Sequence, residues 1–185
     1  MNFKCCKMKC LCFVFLFWVP FLVSSQSVDS LAIKEIDSLI LVSRNLMSKN
    51  DFEKALEVNA IAEKLVLEKF DSTVILYASV CFNKAWVLHL KGDIHDSEVN
   101  YLKVKYIQEK SIGRENSVYA LTLNNLGLLY LDIDRFEKAE MLLTEALSIR
   151  KLVLGNQHIE YAKNLDNLGR LYCDLGNFDK AELLS

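Results

Sequence analysis

Apolar residues recur three and four positions apart along most of the chain, which is the spacing of one face of an α-helix. In the middle of the chain they form two groups separated by a short polar stretch: Leu123, Leu126 and Tyr130, then Phe136, Ala139, Leu143 and Ala146. This pattern predicts one helix over residues 118–131 and a second over residues 135–154. Gly155 is placed to end the second helix as a left-handed cap.

The same two-helix pattern returns at a fixed interval along the chain. Residues 161–185 align with residues 119–143 without a gap and are identical at 14 of 25 positions. A fixed period that is long enough for two helices indicates a stack of helix pairs. We therefore predict repeats over residues 35–76, 77–118, 119–160 and 161–185, the last one shortened, with a lead-in over residues 26–34.

Small side chains recur at one position of each predicted helix. They are Ser43, Ala85, Gly127 and Gly169 in the first helices, and Ala55, Ser97, Ala139 and Ala181 in the second helices. A large side chain at a close helix crossing would push the two helices apart. We therefore expect the helices of each pair to approach most closely here.

The pattern of Leu126-Gly127, Tyr130, Phe136, Ala139 and Ala146 resembles the tetratricopeptide repeat. The phrases LNNLG and EALSIRKLVLG, and the 42-residue spacing, resemble the kinesin-light-chain type more specifically. The resemblance covers residues 35–185. It implies an all-α fold, a right-handed solenoid of about three and a half antiparallel helix pairs with a concave groove.

Two positions depart from the family pattern. Ile159 follows His158 where the family usually has proline, and Lys84 stands where Leu126 and Leu168 supply an apolar side chain in the later repeats. We therefore expect the first helix of the second repeat to pack less well.

In this family the first helix of each pair lines the groove, which implies a ladder of Asn83, Asn125 and Asn167. An amide donates and accepts hydrogen bonds at once, so such a row suits the main chain of an extended peptide. The alternative is that each Asn bonds a neighbouring helix within the stack. The other candidate groove residues are Phe82, Trp86, Asn124, Lys163, Asp166 and Arg170.

These candidates differ in chemistry along the groove. Phe82, Trp86 and His89 form an aromatic stripe in the second repeat, whereas the fourth repeat offers charged side chains. Aromatic residues and Arg dominate many recognition surfaces. The alternative for Trp86 is packing against the first repeat.

The first 25 residues resemble an export signal. They contain three Lys and no acidic residue, followed by an apolar run over residues 11–23 that ends in Val23-Ser24-Ser25. We predict cleavage between Ser25 and Gln26 and export to the periplasm or the extracellular space. The alternative is an uncleaved membrane anchor, although 13 apolar residues with one Pro fall short of the roughly 20 that span a bilayer.

Cleavage would remove four of the six cysteines and leave Cys81 and Cys173. The repeat register places these two residues in helices two repeats apart, too far for a disulfide within the chain. We predict that both are buried as small apolar side chains. An intermolecular bridge is the alternative.

Composition and motifs argue against several classes of function. A net charge of −2 offers no general attraction for nucleic acid. His89 and His95 are six residues apart, which on a helix puts them on different faces, and there is no glycine-rich phosphate loop or nucleophile motif. We predict no catalytic residue, metal or cofactor, and a protein or extended peptide as partner, with no membrane contact once the signal is removed.

The fourth repeat reaches only about eight residues into its second helix. Repeat stacks normally end in a polar capping unit. We therefore expect further repeats in a longer chain. Two alternatives to a binding scaffold follow: a sensor arm for a C-terminal effector, such as a caspase-like peptidase or signalling kinase, and an array that self-associates through its last repeat.

Overall fold

The computed structural model describes residues 19–184, with side chains from residue 30 onward, and this part of the chain contains eight helices and no strand. The helices are α1 Val19–Met47, α2 Phe52–Lys69, α3 Ile75–Lys91, α4 Ile94–Ser111, α5 Ser117–Leu131, α6 Phe136–Leu154, α7 Ile159–Asp174 and α8 Phe178–Glu182. The two helices predicted in the middle of the chain are therefore confirmed as α5 and α6. None of the helices within residues 19–184 is long and apolar enough to cross a membrane.

Each pair of helices is joined by a tight turn that contains one residue with positive φ. These residues are Asn50, Gly92, Asp134 and Gly176, with φ of 60°, 91°, 57° and 70°, and they occupy the same position in successive repeats. Glycine, asparagine and aspartate adopt this conformation more readily than other residues. The turn allows the chain to reverse within a few residues, so the helices of each pair run antiparallel.

Gly155 ends α6 with a φ of 85°, as its placement predicted, but its ψ is 163°. This ψ lies outside the left-handed helical region, so the prediction of a left-handed cap is wrong. The chain is instead extended at Gly155 and leads to His158, whose Nδ1 accepts a hydrogen bond from the backbone N–H of Glu160 at 3.1 Å. His158 therefore caps the start of α7, as Asn116, at the equivalent position of the preceding repeat, caps α5.

The predicted close approach of paired helices is confirmed in the first three repeats. Ser43 Oγ donates to the carbonyl oxygen of Ala55 at 2.9 Å, and Ser97 Oγ donates to that of Ala85 at 2.8 Å. In the third repeat, a Cβ added to Gly127 would lie 2.9 Å from Leu143 Cγ. These short contacts require small side chains.

The fourth repeat lacks this close approach. A Cβ added to Gly169 would meet no atom of the described residues within 4 Å, and Ala181 is half-buried. The expectation for Gly169 and Ala181 is therefore wrong for the described chain. In the described chain α8 covers only five residues, and Ser185, which aligns with Leu143, lies outside the described residues.

Neighbouring repeats are joined by a hydrogen bond that recurs with the period. Tyr130 Oη donates to Glu98 at 2.6 Å, and Tyr172 Oη donates to Glu140 at the same distance. Burial and the Glu98 carboxylate raise the pKa of Tyr130 to about 12, and the Glu140 carboxylate together with burial raises that of Tyr172 to about 12. Each bond fastens the first helix of one repeat to the second helix of the repeat before it.

Lys84 does not weaken the packing of α3 as expected. Its ammonium lies 2.8 Å from a carboxylate oxygen of Glu63 on α2, and Tyr77 Oη donates to the other oxygen of the same carboxylate at 3.2 Å. Tyr77, Val80 and Ala85 on the same helix are buried. The chain accommodates the charge by supplying a counter-ion from the first repeat.

The stack curves because its two layers pack differently. The inner helices α1, α3, α5 and α7 contact one another in succession, whereas α2, α4 and α6 contact inner helices and, within the described chain, not each other. The inner layer is therefore shorter along the stack than the outer layer, and the face formed by the inner helices is concave.

Two glycines on equivalent helix positions should respond oppositely to alanine. Gly169→Ala should raise the free energy of unfolding by about 0.5–1 kcal/mol because alanine favours the helix and no atom of residues 30–184 lies within 4 Å of its Cβ. Gly127→Ala should gain nothing or lose about 1 kcal/mol or more, because its Cβ overlaps Leu143. Urea unfolding followed by circular dichroism measures both changes, and an equal gain for the two variants would contradict the packing.

The Glu63 cluster predicts how stability depends on acid. Burial opposes ionisation of Glu63, but its bonds to Lys84 and Tyr77 outweigh that effect and lower the carboxyl pKa below the ordinary 4.5. The stabilisation that ionised Glu63 contributes to the folded state is therefore complete above pH 4.5. It is lost as the pH falls through the lowered folded-state pKa of Glu63. We expect Glu63→Gln to be less stable than the wild type near neutral pH and to lose less stability on acidification.

The measurement is urea unfolding of both proteins at about pH 6, above the ordinary carboxyl pKa of 4.5, and at successive steps of lower pH below it. Glu57→Gln, a change at an exposed carboxylate on the same helix, serves as the control. An acid-induced loss of equal size in the wild type and Glu63→Gln would contradict the assignment.

Candidate binding groove

The concave face is formed by the inner helices, and each contributes a different set of exposed side chains. On α3 and α5 the exposed groups include apolar Trp86, Leu90 and Leu121, and on α7 they include the charged Lys163, Asp166 and Arg170. We call this face the groove. Its chemistry changes from apolar to charged along the stack.

Asn83 does not face the groove, because its side chain is fully buried. Its Nδ2 lies 2.9 Å from Ser43 Oγ and 2.9 Å from Asn59 Oδ1, and its Oδ1 accepts from Arg44 Nε at 3.2 Å. At this position the second interpretation holds: the amide bonds neighbouring helices within the stack.

Asn125 and Asn167 are half-buried at the groove. Asn125 Nδ2 donates to the carbonyl oxygen of Leu121, one turn earlier on its own helix, at 2.9 Å. Asn167 Nδ2 donates to Asn124 Oδ1 on the preceding inner helix at 2.8 Å, and Asn124 itself is buried. The three asparagines that share one register position therefore have three different sets of partners and do not form a uniform ladder.

The two aromatic candidates on α3 lie in different environments. Phe82 is half-buried and packs edge-to-face on Tyr101 of α4, with ring centroids 5.6 Å apart, so it belongs mainly to the core. Trp86 is 37% exposed and lies outside the apolar clusters of the described chain. Trp86 is therefore the aromatic side chain on α3 that a ligand can reach.

A chain of polar contacts joins three inner helices near the ends of α3 and α5. Asp132 Oδ2 lies 2.8 Å from His89 Nε2 on α3, and Asp132 Oδ1 accepts from Arg170 Nη2 on α7 at 2.6 Å. Arg170 Nε also lies 3.8 Å from Asp174. Asp132 thus holds one edge of the groove together and fixes the guanidinium of Arg170.

The remaining two candidates on α7 are exposed. Lys163 pairs with Glu160 on its own helix at 2.7 Å. Asp166 makes no hydrogen bond or ion pair with any residue that the structure describes. Its carboxylate is therefore available to a ligand, whereas Lys163 would have to share its charge.

Three groove residues were missed from the sequence: Asp132, Leu90 and Leu121. The repeat register could have indicated Asp132, because it places Leu90, Asp132 and Asp174 at equivalent positions of successive repeats, next to the predicted turns. Leu121 occupies the position of Lys163 in the preceding repeat, so the same register would have found it. The contact between Asp132 and His89 has no signal in the periodicity, because it joins different register positions.

The predictions about cysteines are partly wrong. Cys81 is buried, and burial raises the pKa of its thiol. Cys173 is exposed, contrary to the prediction, although its equivalent Leu131 is buried. The short α8 leaves that side of α7 uncovered.

The structure bears less directly on the other predicted sites. Within residues 19–184, no group of three His, Cys, Asp or Glu side chains could hold a metal ion. Ser25 and Gln26, which flank the predicted cleavage point, are part of helix α1. Residues 1–18 of the predicted signal lie outside the described residues.

Comparisons with known proteins agree with this geometry. The family model described as tetratricopeptide repeat matches residues 76–152 and 119–184, which together are more than half of the chain. No curated protein matches the sequence.

Solved structures share the fold at low sequence identity. The crystal structure of BtubC (BKLC) from P. vanneervenii superposes with a TM-score of 0.75 at 21% identity, over 87% of this chain and 65% of that one. A kinesin-light-chain-type protein from Podosopora anserina, with nearly identical TPR-like repeats, gives a TM-score of 0.74 at 17% identity, over 82% of this chain and 72% of that one. This chain therefore spans about 65% of the length of the BtubC structure.

The predicted all-α fold of stacked helix pairs is confirmed by these neighbours together with the eight described helices. Because the family model matches more than half of its residues, the chain belongs to the tetratricopeptide repeat family. It has the kinesin-light-chain-like form of that fold.

Proposed function

We propose that the groove holds an extended segment of another protein and that the chain is a non-catalytic binding scaffold. Tetratricopeptide repeats generally serve protein interaction. The observation that carries the proposal is the row of exposed side chains on successive inner helices, which no other described part of the chain covers. A concave surface of this kind suits an extended peptide.

The apolar end of the groove supplies anchoring surface. Trp86 and Leu121 are each 37% exposed and lie on neighbouring inner helices, and Leu90 is more exposed still. Large aromatic side chains in a partly covered setting commonly provide most of the binding energy of an interface. An apolar side chain of the ligand would bind at this end.

The polar groups beside this apolar end can hold a main chain. Asn125 uses its Nδ2 for Leu121, and its Oδ1 accepts no hydrogen bond from the described part of the chain. Asn167 likewise donates from its Nδ2 to Asn124 Oδ1, and its own Oδ1 accepts no hydrogen bond from the described part of the chain. Both oxygens can therefore accept backbone N–H groups, while Asp166 offers its carboxylate to a basic side chain of the ligand.

The groove is tested with a library of random peptides of about 10 residues, long enough at roughly 3.3 Å per residue to cross three inner helices. Peptides selected on the full chain are labelled, and their affinity is measured by fluorescence anisotropy. We expect the double change Trp86→Ala and Asn125→Ala to weaken binding by at least about tenfold, because an anchor of this kind contributes more than about 1.4 kcal/mol.

Ile61→Ala, at an exposed apolar residue of α2 outside the groove, is the matched control and should bind like the wild type. Circular dichroism checks that all variants keep their helicity. Equal affinity in the groove variant and the control would show that the peptides bind elsewhere.

We also propose that the protein is exported, with residues 1–25 as a cleaved signal. The support is the positive, acid-free start and the apolar run before Ser25. N-terminal sequencing of the protein from its natural source should read from Gln26. A start at Met1 in a membrane fraction would support the uncleaved anchor instead.

The alternative function, a regulatory arm that controls an effector domain, depends on sequence beyond residue 185. Reading the transcript past that codon decides it. A peptidase or kinase domain in the same reading frame would favour the alternative, and a stop codon after further repeats alone would exclude it.

A further inference from the structure

The outer helix α4 carries an exposed apolar stripe that the groove does not use. Val99, Leu102 and Tyr106 lie at spacings of three and four, so they share one face of the helix, and they are 45% to 63% exposed. We call these three residues the α4 stripe. Exposed apolar side chains that cluster in this way indicate an interaction surface.

At the same register positions of the next repeat, the outer helix α6 carries Met141, Thr144 and Ser148. The last two side chains are smaller than their equivalents on α4. They line a shallow, open depression together with three carboxylates. We call it the α6 depression, and its residues are Glu137, Glu140, Met141, Thr144, Glu145 and Ser148.

Continuation of the stack does not cover such a face. The α4 stripe is followed by a full repeat, α5 and α6, and its residues are still exposed. The outer helices contact inner helices but not each other within the described chain. The occupant of this face must therefore approach from outside the solenoid.

We propose that the occupant is a second copy of this chain, related by a two-fold axis that runs between α4 and α6 and along them. Short turns make successive helices antiparallel, so α4 and α6 point in the same direction. Rotation about such an axis leaves every residue at the same height along the helix direction. It therefore places α4 of each copy on α6 of the other copy, parallel and in register, and closes the assembly as a dimer.

The side chains that meet in this arrangement are complementary in size. Val99 lies against Met141 of the second copy, Leu102 against Thr144, and Tyr106 against Ser148. A bulky side chain on α4 thus meets a smaller one on α6 in two of the three layers. Spacings of four and three along both helices match the packing of parallel helices in a coiled coil.

The layer that follows the stripe is complementary in charge. Just after the stripe, Glu109 on α4 lies at the register position of Lys151 on α6. In the proposed dimer each of these residues faces its equivalent on the second copy. Opposite charges at this end favour the parallel, in-register arrangement over a shifted one.

The test is sedimentation velocity on the full chain in a nonionic detergent, over about 1 to about 200 µM, the range in which an interface of modest size associates. We expect a dimer for the wild type and a monomer for the double change Leu102→Asp and Tyr106→Asp. Leu90→Asp, an equally exposed change on the groove side, is the matched control and should remain a dimer.

Charge exchange tests the register. Glu109→Lys and Lys151→Glu should each raise the dimer dissociation constant at least about threefold, since each places like charges in contact, and the double change should restore it. Failure of the double change to restore association would overturn the in-register arrangement.

A second measurement identifies the contact directly. Full chains carrying Leu102→Cys and Thr144→Cys are mixed and oxidised, and the linked peptides are identified by mass spectrometry. A disulfide between positions 102 and 144 of different chains is expected, and the pair Leu90→Cys with Thr144→Cys should not link. A wild type that stays monomeric, a dimer that survives the stripe changes, or links only through Cys173 would each overturn the proposal.

Discussion

The close approach of the two helices within each repeat is the constraint on which the architecture depends. At Ser43 and Ala55, and again at Ala85 and Ser97, a hydroxyl bonds the facing carbonyl, and at Gly127 even a Cβ would overlap Leu143. Helices this close form a rigid hairpin, and successive hairpins then bring their first helices into contact. The second helices are held apart by the same geometry, and this difference produces the concave face.

Polar side chains inside the stack show how repeats are held in register. Arg150 is almost fully buried, and its Nη1 donates to the carbonyl oxygen of Glu160 at 2.8 Å, while its Nη2 lies 3.3 Å from the Glu160 carboxylate. Asn164 Nδ2 donates to the carbonyl oxygen of Leu143 at 3.0 Å. Because buried polar groups are costly unless satisfied, such bonds disfavour sliding of one repeat on the next.

The fold could be predicted from the sequence because its fixed period repeats contacts between sequence neighbours. The asparagines show where this reasoning ends. Asn83 is buried because the preceding repeat supplies Ser43, Arg44 and Asn59 as partners. At the equivalent positions before Asn125 the chain has Ala85, Trp86 and Tyr101, none of which bonds the amide. A register position specifies a place on a helix, but its environment depends on side chains of the repeat before it.

Some of the differences between the aligned third and fourth repeats lie at exposed side chains of α7. Tyr119, Leu126, Gly127 and Tyr130 recur unchanged, because they contact neighbouring helices in the third repeat. Leu121 is replaced by Lys163, Asn124 by Asp166 and Leu128 by Arg170. The stack thus keeps the same residues at these interior positions while its concave surface changes from apolar to charged. A segment bound there would meet a different chemistry at each inner helix, so the succession of repeats would determine the direction in which it lies.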